Sequence, residues 1–180
     1  MGSIRTFSGR FINPLQPDAE HICIEDIAHA LSQMCRAGGH FRSFLSVAQH
    51  SVNCCLEAEA RGLCVTLRLA CLLHDAGEAY LSDITRPVKQ FLPEYRKYED
   101  TLLNVIWEKY LPRVLSENEV RQVFDIDDAM LWHEFSALMG EELWAERPQL
   151  HSQPDFSSHS MEETERHFLD LFSSLRGAAE

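Results

Sequence analysis

Leu69-Ala70-Cys71-Leu72-Leu73-His74-Asp75 is an unbroken apolar run that closes on an imidazole and a carboxylate. With Val65 and Leu67 before it, the run predicts a short helix over 65–75, apolar enough to lie in the interior. His74 and Asp75 then stand at its buried end. A polar group left unpaired in a dry site costs about 1–3 kcal/mol, so both need partners. A divalent metal ion satisfies both with the fewest groups. Two more ligand-type residues are available, His50 within Val47-Ala48-Gln49-His50-Ser51 and Asp127 within Phe124-Asp125-Ile126-Asp127-Asp128-Ala129-Met130-Leu131.

Outward from that run the periodicity is helical almost throughout. Ile24, Ile27, Ala28, Leu31 and Met34 recur at three- and four-residue steps, and Gly38-Gly39 is expected to cap that helix. A second helix is expected from Ser43, as N-cap, to Arg61, with Gly62 as its stop. A loop should carry Glu78, Asp83, Arg86, Pro87 and Lys89. Pro93 opens a long helix with Leu102, Val105, Ile106 and Tyr110 on its apolar face. Ser116 and Glu119 form a capping box. On the helix that follows, Val120, Val123, Phe124, Asp127, Met130, Leu131, Glu134 and Leu138 share a stripe, which turns Asp127 inward. Ser160 and Glu163 repeat the box before a last helix over about 160–175, and 147–159 reads as an exposed connection. Only Arg5 to Leu15 alternates like a small hairpin. The expected fold is an all-α, compact, single-domain bundle spanning 1–180, with its motifs between about 20 and 140.

Bulk properties limit the function. With 180 residues and 45% hydrophobic content the chain can bury a real core. A formal charge of −12 opposes binding to long polyanions, so nucleic-acid polymers and anionic membranes are poor partners. A small phosphate ester stays open to it, because local cations override net charge inside a pocket. The six cysteines include no C-x-x-C, and Cys54 and Cys55 are adjacent; most read as small buried hydrophobes in a reducing compartment. Without an apolar leader or an 18-residue apolar stretch, a cytoplasmic protein is expected.

Two imidazoles and two carboxylates make a mixed nitrogen and oxygen set suited to Mn, Fe, Co, Ni or Zn rather than to calcium. Glu78, one helical turn beyond His74, would stand near a metal-bound water as general acid or base. A buried hydrogen-bonded His-Asp couple is the plain alternative for the dipeptide alone. His29, His133 and His167 read as packed or surface residues. Trp107, Tyr110 and Leu111 read as core or as a dimer face.

His50, then His74-Asp75, then a distant Asp resembles the H…HD…D signature of the HD-domain metal-dependent phosphohydrolases. His74-Asp75-Ala76-Gly77-Glu78 is similar to the H-D-A-S-E segment, and Ser82-Asp83-Ile84-Thr85-Arg86-Pro87-Val88-Lys89 to the D-x-P-x-P-x-K segment, of the branch that hydrolyses deoxynucleoside 5′-monophosphates. Arg36 before Gly39-His40, and Val47 to Ser51, resemble the same branch. Residues 126–134 resemble its A-D-x-x-L-L-x-x-E pattern when Asp127, not Asp128, is the ligand. Similarity covers about residues 5–140.

What the resemblance implies is a 5′-nucleotidase-like enzyme acting on a small nucleotide. It would hold one divalent ion on His50, His74, Asp75 and Asp127, with Glu78 moving the proton. Arg36, His40, Asp83, Arg86 and Lys89 would contact substrate. No histidine lies between Asp75 and Asp127, which, within this resemblance, implies one metal rather than two. A homodimer is expected by analogy and by the base rate for symmetric oligomers. Gly77 departs from the usual Ser, and Ile84 from Leu-Pro. A nucleoside triphosphate or other phosphoester hydrolase, or a nucleotide-binding regulatory module without turnover, are the alternatives.

Overall fold

Helix α3 (Val65–Leu73) is where the chain's strongest apolar run goes, and it is buried on almost every side. In the computed structural model, which describes residues 2–179, it is laid against α2 (Val47–Ala60), α7 (Glu117–Leu138) and α8 (Met161–Ala179), with α6 (Pro93–Tyr110) along a further side. Helix α1 (Ile24–Gln33) packs on α2 and α8. Short helices α4 (Glu78–Leu81) and α5 (Arg86–Lys89) connect α3 to α6. A two-stranded antiparallel hairpin, β1 (Ile4–Arg5) with β2 (Phe11–Ile12), precedes the bundle and pairs Ile4 with Ile12. The fold is thus mostly α-helical, as expected. Among the described residues no helix is long and apolar enough to cross a membrane. Met1, the first residue of the leader reading, lies outside the described residues.

Several local expectations need correction. Helix α1 ends at Gln33, not at the glycines, because Met34 to Val47 turns into a bridge with the start of α2: Arg36 N donates to Leu45 O and Val47 N to Met34 O, both at 2.9 Å. Ala37, Gly38 and Gly39 all take left-handed φ there, forming a tight turn that carries Arg36. Ser46, not Ser43, caps α2; its hydroxyl accepts from Gln49 N at 3.1 Å. The expected loop over 78–89 holds the two short helices. On α7, Phe124 is 41% exposed while Ile126, Ala129 and Trp132 are buried; α2 and α3 pack on this helix, and Trp132 is covered on a further side by Arg147 and by the carbonyl of Trp144, to which its Nε1 donates at 3.0 Å. The capping boxes at Ser116–Glu119 and Ser160–Glu163 both form.

The C-terminal segment belongs to the core. Thr164, Phe168, Phe172 and Leu175 of α8 are buried at three- and four-residue spacing, and Phe172 meets Tyr110 edge-on. The exposed connection before α8 is pinned to α2. Gln49 and Asn53 side chains donate to Asp155 O at 2.9 Å. Glu57, fully buried, accepts from the amides of His151 and Ser152, the Ser152 hydroxyl and Arg61. Gln49, Asn53 and Glu57 recur every four residues, so one polar face of α2 serves as the strap's anchor.

Candidate functional site

Three helices deliver the predicted ligand set to one place. His50 projects from α2 and is fully buried; His74 caps α3 with Asp75 after it; Asp127 lies on α7. His50 Nε2 stands 3.1 Å from His74 Nε2, 3.1 Å from Asp127 Oδ1 and 3.7 Å from Asp75 Oδ2. His74 Nε2 stands 3.3 Å from Asp75 Oδ2 and 3.6 Å from Asp127 Oδ1. Asp127 is therefore the residue brought inward. Asp128 is half-exposed and paired with Arg86.

The other ring nitrogen of each histidine is already committed. His74 Nδ1 lies 2.7 Å from Cys71 O; a carbonyl only accepts, so Nδ1 carries the proton. His50 Nδ1 lies 2.6 Å from Glu134 Oε1, a carboxylate that His50 and Arg36 hold below its ordinary range against the effect of burial. With both protons outward, the Nε2 lone pairs face each other and two carboxylate oxygens. Four acceptors converge, an arrangement that a proton on either Nε2 or a bound cation would relieve. The protonation tendencies agree: burial pushes His74 down, but Asp75 and Asp127 outweigh it and raise it well above the usual range. Burial and Arg36 oppose a charge on His50, yet Glu134 and Asp127 raise it. Both aspartates stay low through His74 and His50 despite burial.

A metal cation fits the same place. Metal–ligand bonds of about 2.0–2.2 Å give ligand–ligand edges of about 2.8–3.6 Å in octahedral or tetrahedral sites, which matches most of these separations. Cys54, one turn beyond His50, adds a sulfur 3.5 Å from His50 Nε2. His50, Cys54 and His74 form a fully buried cluster whose ligand atoms lie within 4.8 Å of one another and could hold a metal ion. Read in the sequence as a buried hydrophobe, Cys54 gave no other signal there than its spacing from His50.

Around the cluster, Arg36 is buried and reaches Asp75 Oδ2 at 3.3 Å, Glu134 Oε2 at 3.3 Å and Asp127 Oδ1 at 3.9 Å. Glu134 was legible as a stripe residue and as the last position of the 126–134 pattern, but its role as the common support of His50 and Arg36 depends on the packing of α2 against α7. Glu78 begins α4, is buried, and leaves Oε2 without a hydrogen-bond partner among the described residues. Burial, then Asp75 and Asp83, push it well above the ordinary carboxylate range. Burial likewise raises Asp83 over the opposing pull of Arg36. Ser82, just before it, holds a left-handed φ of 73°, a strained conformation for a side-chain-bearing residue, and Tyr95 Oη donates to its carbonyl at 2.6 Å.

The remaining predicted residues are placed less directly. Arg86 donates to Asp127 Oδ2 at 2.7 Å and also pairs with Asp128. Lys89 Nζ lies 2.6 Å from Glu99 and 3.8 Å from Glu78. His40 is exposed at the end of the Arg36 turn, and the structure does not bring it into the cluster. A surface cleft of about 700 Å³ between α7 and the strap, lined by His133, Arg147, Gln149 and Phe156 among others, contains none of the predicted residues. The convergence of buried acceptors, not cleft size, locates the candidate site.

Fold and site together define a mostly α-helical protein with a buried histidine-centred cluster able to hold a metal ion. The chain is 42% identical over 117 residues to the uncharacterized protein YfdR of Escherichia coli K12, covering 64% of this chain and 63% of that protein. It is 39% identical over 118 residues to an uncharacterized protein of Rhodobacter capsulatus, covering 62% and 60%. The matched stretch thus spans about three fifths of either relative's length. No protein-family profile matches the chain.

Proposed function

We propose that this protein is a metal-dependent phosphohydrolase of the HD-domain type, acting on a small nucleotide, and that its substrate is a nucleoside or deoxynucleoside 5′-monophosphate. The observation that supports the reading is the convergence of His50 Nε2, His74 Nε2, Asp75 Oδ2 and Asp127 Oδ1, with both Nδ1 atoms engaged elsewhere. These four residues would hold one divalent ion of Mn, Co, Fe, Ni or Zn. Bound there, such an ion supplies fixed positive charge and lowers the pKa of a coordinated water.

The chain's own residues do the rest. Arg36, fixed by Glu134 and Asp75, offers guanidinium charge to the phosphate. Water attacks phosphorus as the bond to the ribose oxygen breaks, and that oxygen needs a proton. Glu78, whose carboxyl burial and the neighbouring Asp75 and Asp83 push well above its ordinary range, is the residue to deliver it. Asp83 would meet the sugar hydroxyl, and Arg86 and Lys89 would screen phosphate once turned from their carboxylate partners. The test is phosphate release from nucleoside mono-, di- and triphosphates after chelation, with Mn, Co, Ni, Zn or Mg restored singly. Release from monophosphates alone, dependent on metal, is expected; no release with any metal would sink the enzyme reading. Glu78→Ala should still bind metal and nucleotide but release phosphate about 10²–10⁴-fold more slowly.

A further inference from the structure

Cys54 is 1% exposed, and its Sγ lies 3.5 Å from His50 Nε2, on the side of the imidazole that carries the lone pair. Sγ and the two Nε2 atoms all fall within 4.8 Å of one another. Packing alone asks for a small apolar group at this position of α2; the sulfur adds a soft donor beside two imidazole lone pairs. For bonds of about 2.0–2.1 Å to nitrogen and about 2.3 Å to sulfur, a tetrahedral N···S edge is about 3.5 Å, the separation found between Sγ and His50 Nε2. The same two histidines therefore belong to two overlapping donor sets, one completed by Asp75 and Asp127 and one by Cys54.

We propose that Cys54 is a metal ligand of this centre, making it a His50–His74–Cys54 site for thiophilic divalent ions such as Co(II), Zn(II) and Cd(II). Oxygen-preferring ions such as Mn(II) and Mg(II) use the carboxylates and leave Cys54 a thiol. The inference rests on the metal centre proposed above and specifies which ions it selects. On coordination the S–H bond breaks as the sulfur–metal bond forms, one proton passes to solvent, and no oxidation state changes. Cys55 follows in sequence but points about 100° away around the helix. Cys35 and Cys64 are exposed and need a control.

Anaerobic titration of the full chain with Co(II), followed by absorption and equilibrium dialysis, tests this. One equivalent should bind with an intense near-ultraviolet thiolate-to-cobalt charge-transfer band. Cys54→Ser should still bind Co(II) but lose that band, whereas the Cys35→Ser/Cys64→Ser double variant should keep it. Cadmium NMR of the unsubstituted chain, which reports sulfur ligation by chemical shift, gives the answer independently if Cys54→Ser does not fold. Cobalt bound without the band, or a band surviving Cys54→Ser, overturns the role of Cys54 and leaves the metal centre standing. No cobalt bound by the unsubstituted chain overturns both.

Discussion

Glu134 shows how much one buried carboxylate can organise. Its two oxygens divide between His50 Nδ1 and the Arg36 guanidinium, so one side chain sets the tautomer of a ligand-type histidine and the position of the nearest cation. Partners of this kind raise the basicity of the ring and hold its orientation. Glu134→Ala should weaken Mn(II) or Co(II) binding by about 10–100-fold, measured by equilibrium dialysis on protein whose helical circular dichroism is unchanged. Affinity equal to the unsubstituted chain would show that His50 needs no such support. Gly77 illustrates the opposite case, a residue whose special character is unused. Its backbone is ordinary right-handed helix, φ −63°, and an added Cβ would meet Leu102 at 3.7 Å, ordinary contact. Gly77→Ala should therefore raise stability by about 0.4–1 kcal/mol through the unfolded chain, read from urea denaturation. A loss instead would mean that the backbone before Glu78 must flex.

Among elements, the strap over residues 147–159 depends on α2 more than on itself. Glu57 is pushed up by burial, but bonds from Ser152, Arg61 and the amides of His151 and Ser152 hold it below its ordinary range. A carboxyl depressed in the folded state adds stability above its unfolded pKa, about 4.3, and loses it as pH falls through the lower folded value. Glu57→Gln should cost about 1–3 kcal/mol at pH 7. The difference between the two proteins should shrink below about pH 4, followed by thermal melts across pH. A gap that stays constant with pH would show that the charge of Glu57 is not what anchors the strap. Loss of the strap should appear first as faster amide exchange around His151 and Ser152, whose amides the carboxylate holds.

For the whole molecule, the decisive contact is that of the C-terminal helix with α1, α2 and α3. Phe168 is fully buried beneath it. Phe168→Ala should cost about 3–5 kcal/mol, a large share of the roughly 5–15 kcal/mol of a typical domain, and should lower metal affinity too, because α2 and α3 carry His50 and His74. A destabilisation under about 1 kcal/mol would mean that α8 is an appendage, contrary to its packing. The motifs between residues 20 and 140 are thus held in place partly by a segment outside them.

Local chemistry was legible in the chain itself. An apolar run must be buried, so α3 and the inward placing of His74 followed from Leu69 to Asp75; a serine three residues before a glutamate caps a helix, so Ser116 and Ser160 did as well. The stripe on α7 and the register of the 126–134 pattern together favoured Asp127 over Asp128, and Asp127 is the one brought inward. Ser46 rather than Ser43 as cap, Phe124 turned outward and Glu134 joining His50 to Arg36 were decided only in three dimensions. Each depends on which helix packs against which, and periodicity marks a buried face without naming its neighbour. Cys54 belongs with them: its spacing from His50 is visible in the sequence, but the thiol becomes a donor beside two imidazoles only when α3 brings His74 within reach.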